Sequence, residues 1–206
     1  MNYTEKQVKL LNSIGIIYLE YVNWTHISKF DKLNGEFIRE FKDNVDWYWI
    51  SKYQKLSENF IREFKDKVDW DNISKYQNLT EDFIREFKDN VDWGNISEHQ
   101  TLSEDFIREF KDKVNWNDIS AYQILSEDFI YEFQYYYINW DIISKYQKLS
   151  EDFIREFSNK VNWYYITQYQ TLSIEFINEF KDYVDWDNIP NYQKNNENDI
   201  THFTND

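Results

Sequence analysis

Apolar residues recur along this chain with the spacing of a helix, and the whole pattern recurs again with a much longer period. Between Leu56 and Asn78, Phe60, Ile61, Phe64 and Val68 fall at i, i+1, i+4 and i+8, one stripe on a helix of 3.6 residues per turn. Arg62, Glu63, Lys65 and Asp66 take the opposite, solvent-directed face. Ser57 predicts an N-cap, because its hydroxyl accepts from a first-turn amide that has no helical partner. Leu56 and Ile61 stand at the hydrophobic-staple positions around it. Asp69 then ends this helix and caps a second one lined by Trp70, Ile73 and Tyr76 or Gln77. The pattern predicts a helix of about 11 residues and one of about 8, both shorter than a helix that is stable alone in water.

That unit returns down the chain. Trp24, Trp47, Trp70, Trp93, Trp116, Trp140, Trp163 and Trp186 are spaced by 23 residues, with one spacing of 24 between Trp116 and Trp140. A fixed period of this length marks a repeat protein. The predicted fold is all-α, an α-solenoid of about eight two-helix repeats. Residues 1–193 form a single array with repeat starts near 10, 33, 56, 79, 102, 125, 149 and 172, and 194–206 are a polar C-terminal tail or cap. The expected structural core is Trp47, Trp70, Trp93, Trp116, Trp140, Trp163 and Trp186 with residues such as Phe60, Ile61, Phe64 and Ile73, buried against the next repeat. A leucine-rich repeat is excluded, since no copy carries its Leu-x-x-Leu-x-Leu strand pattern.

Departures from the pattern mark the ends and one interior site. In the worn first copy Leu10 takes the Leu56 position, and the apolar stretch 14–22 aligns with the first helix of the repeat. Near the other end Pro190 interrupts the last short helix, having no amide to donate. The sixth copy holds one extra residue between Phe133 and Ile138, to be absorbed by a π-bulge or a longer turn. There Tyr131 replaces the arginine found at Arg39, Arg62, Arg85, Arg108 and Arg155, and Tyr135, Tyr136 and Tyr137 follow. Tyr164 and Tyr165 stand where Asp71 and Asn72 stand in the third repeat. Tyrosines gathered on otherwise charged positions are the material of interface hot spots, so these six are the candidate interaction patch. The competing explanation is neutral drift, or a thicker local core around the insertion.

Composition narrows the function further. The net charge is −15, from 38 acidic and 23 basic residues. Such a field repels nucleic-acid phosphates and anionic bilayers; it suits a basic protein partner, and it equally serves simply to keep an aromatic-rich chain in solution. There is no cysteine, and the start of the chain is neither a signal peptide nor a membrane span. His26, His99 and His202 lack partners at metal-ligand spacing. The recurring Asp69, Asp71 and Asn72 lack the glycine and glutamate of a calcium loop. Acid pairs such as Glu81 and Asp82 recur in several copies, which is unlike the few unique residues of an active site. No catalytic, cofactor-binding or metal-binding residues are assigned, and an enzyme is not expected.

The stretches 102–116 and 70–77, with the core Asp-Trp-x-x-Ile-Ser-x-x-Gln-x-Leu-Ser, resemble a short tandem repeat of uncharacterised proteins of giant viruses that infect amoebae. The resemblance covers about residues 10–193 and departs from the pattern at 14–18 and 131–138. It implies viral origin and a place in the host cell cytoplasm or the virion, and it supplies no catalytic residues. Together these features predict a protein–protein interaction scaffold whose partner is a protein of the host, basic in character, with no nucleic acid and no membrane. The alternatives are a structural or self-assembling virion component, with self-association, and an acidic decoy for a basic host protein.

Overall fold

The computed structural model describes residues 3–135 and 137–190, and every regular element among them is helical. The chain is an all-α solenoid of paired helices that repeats about every 23 residues. It divides into two compact units, Met1–Thr101 and Leu102–Asp206. The first holds α1 (Glu5–Ser13), α2 (Trp24–Phe30), α3 (Gly35–Glu40), α4 (Trp47–Tyr53), α5 (Glu58–Glu63), α6 (Trp70–Tyr76), α7 (Glu81–Glu86) and α8 (Trp93–His99). The second holds α9 (Glu104–Glu109), α10 (Trp116–Tyr122), α11 (Glu127–Phe133), α12 (Trp140–Tyr146), α13 (Glu151–Glu156), α14 (Trp163–Tyr169) and α15 (Ile174–Glu179). From α3 on, an odd-numbered helix opens each repeat and an even-numbered one closes it. The even-numbered helices pack on one another in series within each unit.

The predicted caps are present. Ser57 accepts from the Phe60 amide and Asp69 from the Asn72 amide. The closing helix α6, at seven residues, is close to the expected eight, but the opening helix is not close to eleven. The opening helix α5 has only six residues, because Phe64 leaves helical geometry (φ −116°, ψ 28°). Residues 64–67 instead form a turn in which the Lys67 and Val68 amides both return to the Phe64 carbonyl, 2.9 and 3.0 Å away. The carbonyl of Lys65, which a continuing helix would satisfy, accepts from the Trp70 indole at 3.0 Å. The same bond recurs from Trp47, Trp93, Trp116, Trp163 and Trp186 to the residue five before each.

The tryptophans are therefore clamps on a turn as much as core. Those from Trp24 to Trp163 are half-buried and Trp186 is exposed. The indoles of Trp24, Trp47, Trp70, Trp116, Trp140 and Trp163 also pack on the phenylalanine pair of the following repeat, as Trp70 does with Phe87 and Phe83 at 4.9 and 6.3 Å between ring centres. The fully enclosed core is Ile50, Ile61, Ile73, Phe83 and Ile96 in the first unit, and Phe106, Ile119, Phe129, Ile143, Ile166 and Phe176 in the second. Phe60 and Phe64 are buried beside them.

The first repeat differs from expectation. Residues 14–22 do not form its opening helix; α1 lies upstream, and only a 3₁₀ turn, Leu19–Tyr21, follows. Gly15 is the reason. At φ +85° it closes α1 with two bonds, Ile16 amide to Leu11 carbonyl and Gly15 amide to Asn12 carbonyl, the Schellman arrangement that favours glycine. Ile17, Tyr18 and Tyr21 are left exposed. The extra residue of the sixth repeat gives α11 a seventh residue and a longer turn, with the Tyr137 amide reaching back to the Phe133 carbonyl at 3.3 Å. No π-helix is present among the described residues. Residues 185–190 form turns rather than a closing helix, as Pro190 requires. The tail at 194–206 lies outside the described residues.

Candidate interaction surface

Three polar ladders join one repeat to the next, and they define which side chains are left for other work. Gln77, buried at the end of α6, is the clearest rung. Its Oε1 accepts from the Leu56 amide at 3.0 Å, and its Nε2 donates to the Ser51 and Gln54 carbonyls at 2.8 and 2.9 Å. Those groups lie beyond or at the end of α4 and have no helical partner. Gln54, Gln100 and Gln147 make the same three contacts in their own units. The second ladder is serine. Fully buried Ser74 donates to the Trp70 carbonyl at 2.7 Å and accepts from the Asp92 amide at 2.9 Å. In the third, an acid at the start of one opening helix accepts from the N-cap amide of the next, as Glu58 does from Thr80 at 2.7 Å.

The serine ladder fails at one point. Ser120 is fully buried and its Oγ has no hydrogen-bond partner. The residue that would donate to it lies just past the sixth-repeat insertion, which shifts that amide by one position. An orphaned hydroxyl is a desolvation cost of about 1–3 kcal/mol, so the insertion is a strain on the array rather than an improvement of it.

Charge on the outer surface of the opening helices is paired. Arg39, Arg62, Arg108 and Arg155 each meet a glutamate of the next repeat, Glu63, Glu86, Glu132 and Glu179, at 2.7 to 2.8 Å. The Arg39 hydrogen bond holds the Glu63 carboxyl below its ordinary range, and Lys67 does the same to Asp43. At the start of the array Lys6 of α1 takes the arginine's part toward Glu40, at 3.1 Å. These pairs are solvent-exposed, and individually they contribute little to stability.

The six candidate tyrosines do not form one patch with one environment. Tyr131 and Tyr135 are 54% and 76% exposed at the end of α11. Tyr131 meets Phe157 edge-on at 5.9 Å, and Tyr135 lies under the Lys160 ammonium at 4.4 Å. Lys160 is fixed from its other side by buried Gln134, at 2.7 Å. Tyr137 turns inward: its ring lies 4.7 Å from Trp116 and its hydroxyl bonds to Asp112, so desolvation and then that bond push its phenol pKa up. Tyr136 lies outside the described residues. Tyr164 and Tyr165 meet edge-on at 5.3 Å at the start of α14, in a second cluster where the Lys145 ammonium faces Tyr165, Tyr146 and Tyr169. An open groove of about 360 Å³ runs past Tyr122, Lys145, Tyr146 and Tyr165.

The Gln134 side-chain amide donates to the Tyr131 carbonyl at 3.0 Å, and Asp128 and Glu156 hold the register positions that flank an arginine in the sister repeats. Among the described residues no group of three or more His, Cys, Asp or Glu side chains could hold a metal ion. None of the described helices is long and apolar enough to cross a membrane. No family model, curated protein or solved structure matches the chain.

Proposed function

We propose that this protein is a non-catalytic scaffold for protein–protein contacts, with its sixth repeat as the main contact surface. The observation that carries this reading is how each repeat divides its residues. Buried Phe, Ile, Gln and Ser hold repeat to repeat, so the outer positions can differ without loss of the fold. In the sixth repeat those outer positions hold exposed Tyr131 and Tyr135 where sister repeats hold charge. Tyrosine gives large contact area for little lost side-chain freedom, with a hydroxyl for one directed bond. The net charge of −15 supports a basic partner. The resemblance to giant-virus repeats supports a viral origin and action in the host cytoplasm or virion.

The test places a photo-crosslinking residue at Tyr131 or Tyr135 in full-length protein and exposes it to host-cell extract. The crosslinked protein is then purified, and its affinity is measured for wild type and for the double variant Tyr131→Ser/Tyr135→Ser. The scaffold reading expects the variant to bind at least about tenfold more weakly, a typical loss for truncated anchors, with circular dichroism unchanged. Equal affinity for both would defeat it.

A further inference from the structure

The repeats themselves show what ligand the sixth one is shaped for. Three arginines are held alike. Arg62, Arg108 and Arg155 donate through Nε to Glu86, Glu132 and Glu179 at 2.7, 2.8 and 2.8 Å. Through Nη1 they donate to Asn59, Asp105 and Asp152, three residues back, at 3.0, 2.9 and 2.6 Å. Each guanidinium also lies over the first phenylalanine of the next repeat, Phe83, Phe129 or Phe176, with its carbon 4.9, 4.9 and 5.1 Å from the ring centre. An aromatic face, a glutamate and a second acceptor thus form a guanidinium seat in each repeat.

In the sixth repeat the residues of the seat recur at the same register positions, and the arginine's position holds Tyr131. The corresponding groups are Phe153, Glu156 and Asp128. Among the described residues neither Glu156 nor Asp128 has a hydrogen-bond or ion-pair partner, whereas Glu40, Glu63, Glu86, Glu132 and Glu179 all meet a cation. Tyr131 does not stand in for the guanidinium, because its ring approaches Phe157 rather than Phe153. Ring exposure agrees. In the second unit Phe129 and Phe176, each under an arginine, are 0% exposed, and Phe153 is 6% exposed. Phe60, under the loosely held Arg39 whose side chain is 51% exposed, is 5% exposed.

We propose that Phe153, Glu156 and Asp128 receive an arginine side chain from a partner protein, with Tyr131 and Tyr135 packing against the residues beside it. The proposal rests on the scaffold reading and names the partner's chemistry. Arginine is favoured over lysine because a planar fork meets a carboxylate through two N–H groups while stacking on a ring, which an ammonium cannot do. The acidic field of the chain steers such a partner in.

The experiment titrates full-length protein with N-acetyl-arginine amide, N-acetyl-lysine amide and an arginine-containing hexapeptide, following side-chain NMR signals of Phe153, Asp128 and Glu156. The seat predicts saturable shifts confined to these residues, with the arginine probe binding several-fold tighter than the lysine probe. Glu156→Gln is expected to weaken binding about tenfold, the effect of losing a charged hydrogen-bond acceptor. Tyr131→Arg restores the residue of the sister repeats, so it is expected to abolish binding while keeping helicity and the urea midpoint. Equal binding of lysine and arginine, or full binding by Tyr131→Arg, overturns the proposal. If the arginine probe fails while the crosslinked partner still needs Tyr131 and Tyr135, the seat is wrong and the scaffold stands. If the probe binds and no partner depends on those tyrosines, it is the scaffold reading that fails.

Discussion

Replacing Gln77 by alanine isolates what one latch contributes. The carboxamide satisfies three backbone groups: the Leu56 amide at the start of its own repeat and the Ser51 and Gln54 carbonyls of the preceding one. The two carbonyl contacts are buried, and the side chain itself is 5% exposed. Each bond lost contributes about 1–1.5 kcal/mol net, and solvent reaches the site only by opening the packing around Ile73, so the expected loss is about 3–5 kcal/mol. That is a large part of the roughly 5–15 kcal/mol available to a protein of ordinary stability. In an array the loss is local to one interface, so unfolding should also become less cooperative, with a smaller denaturant dependence. The assay is urea unfolding followed by circular dichroism and tryptophan fluorescence, with Lys75→Ala on the same helix as a surface control. A loss of under about 1 kcal/mol, with coincident unlatched and wild-type curves, would refute the reasoning.

Ser74→Ala should cost about 1–2 kcal/mol by unpairing the Asp92 amide, whereas Ser120→Ala should be neutral or stabilising, since its hydroxyl is already orphaned; comparable losses in urea unfolding would contradict this. The Glu63 carboxyl is held low by Arg39, so this pair stabilises the fold above the ordinary carboxylate range and is lost as pH falls through the folded value. In Arg39→Gln, NMR titration should find the Glu63 pKa moved up toward its ordinary value; no movement would refute the assignment. Gly15→Ala forces a Cβ into φ +85° with open space around it, and should destabilise α1 by about 1 kcal/mol, seen as faster amide exchange at Ile16 alongside unchanged exchange in α6.

The period, the helix class and the caps were legible because each rests on local chemistry. Ser57 and Asp69 cap where their side chains can reach an amide three residues on, and Ile73 buries because it lies on the apolar stripe. The break at Phe64 was not legible, since apolar spacing continues through it. The turn that follows is held by a bond from the Trp70 indole to the Lys65 carbonyl five residues before it, a contact that periodicity does not encode. The glutamine latch had a visible signal that went unused. Gln54, Gln77, Gln100, Gln123, Gln147 and Gln170 hold one register position just past the closing helix, and a polar residue so placed and buried is satisfying backbone. For the candidate site, the replacement of arginine by Tyr131 was legible and its consequence was not. Only the geometry of sister arginines shows that Asp128 and Glu156 lose their cation. Tyr137 differs from Tyr131 and Tyr135 in that its ring packs on Trp116, which its place in the tyrosine run does not reveal.

The claim that a buried glutamine in each repeat completes backbone groups the helices leave open is tested most directly by hydrogen exchange at Leu56, Leu79 and Leu149. Their amides lie outside any helix and bond to Gln77, Gln100 and Gln170 near the end of the same repeat. The account predicts protection at these three amides comparable to that of Ile73 and Ile96 inside helices, and its loss at Leu56 alone in Gln77→Ala. Exchange at the rate of an unprotected loop in the wild-type protein would contradict it.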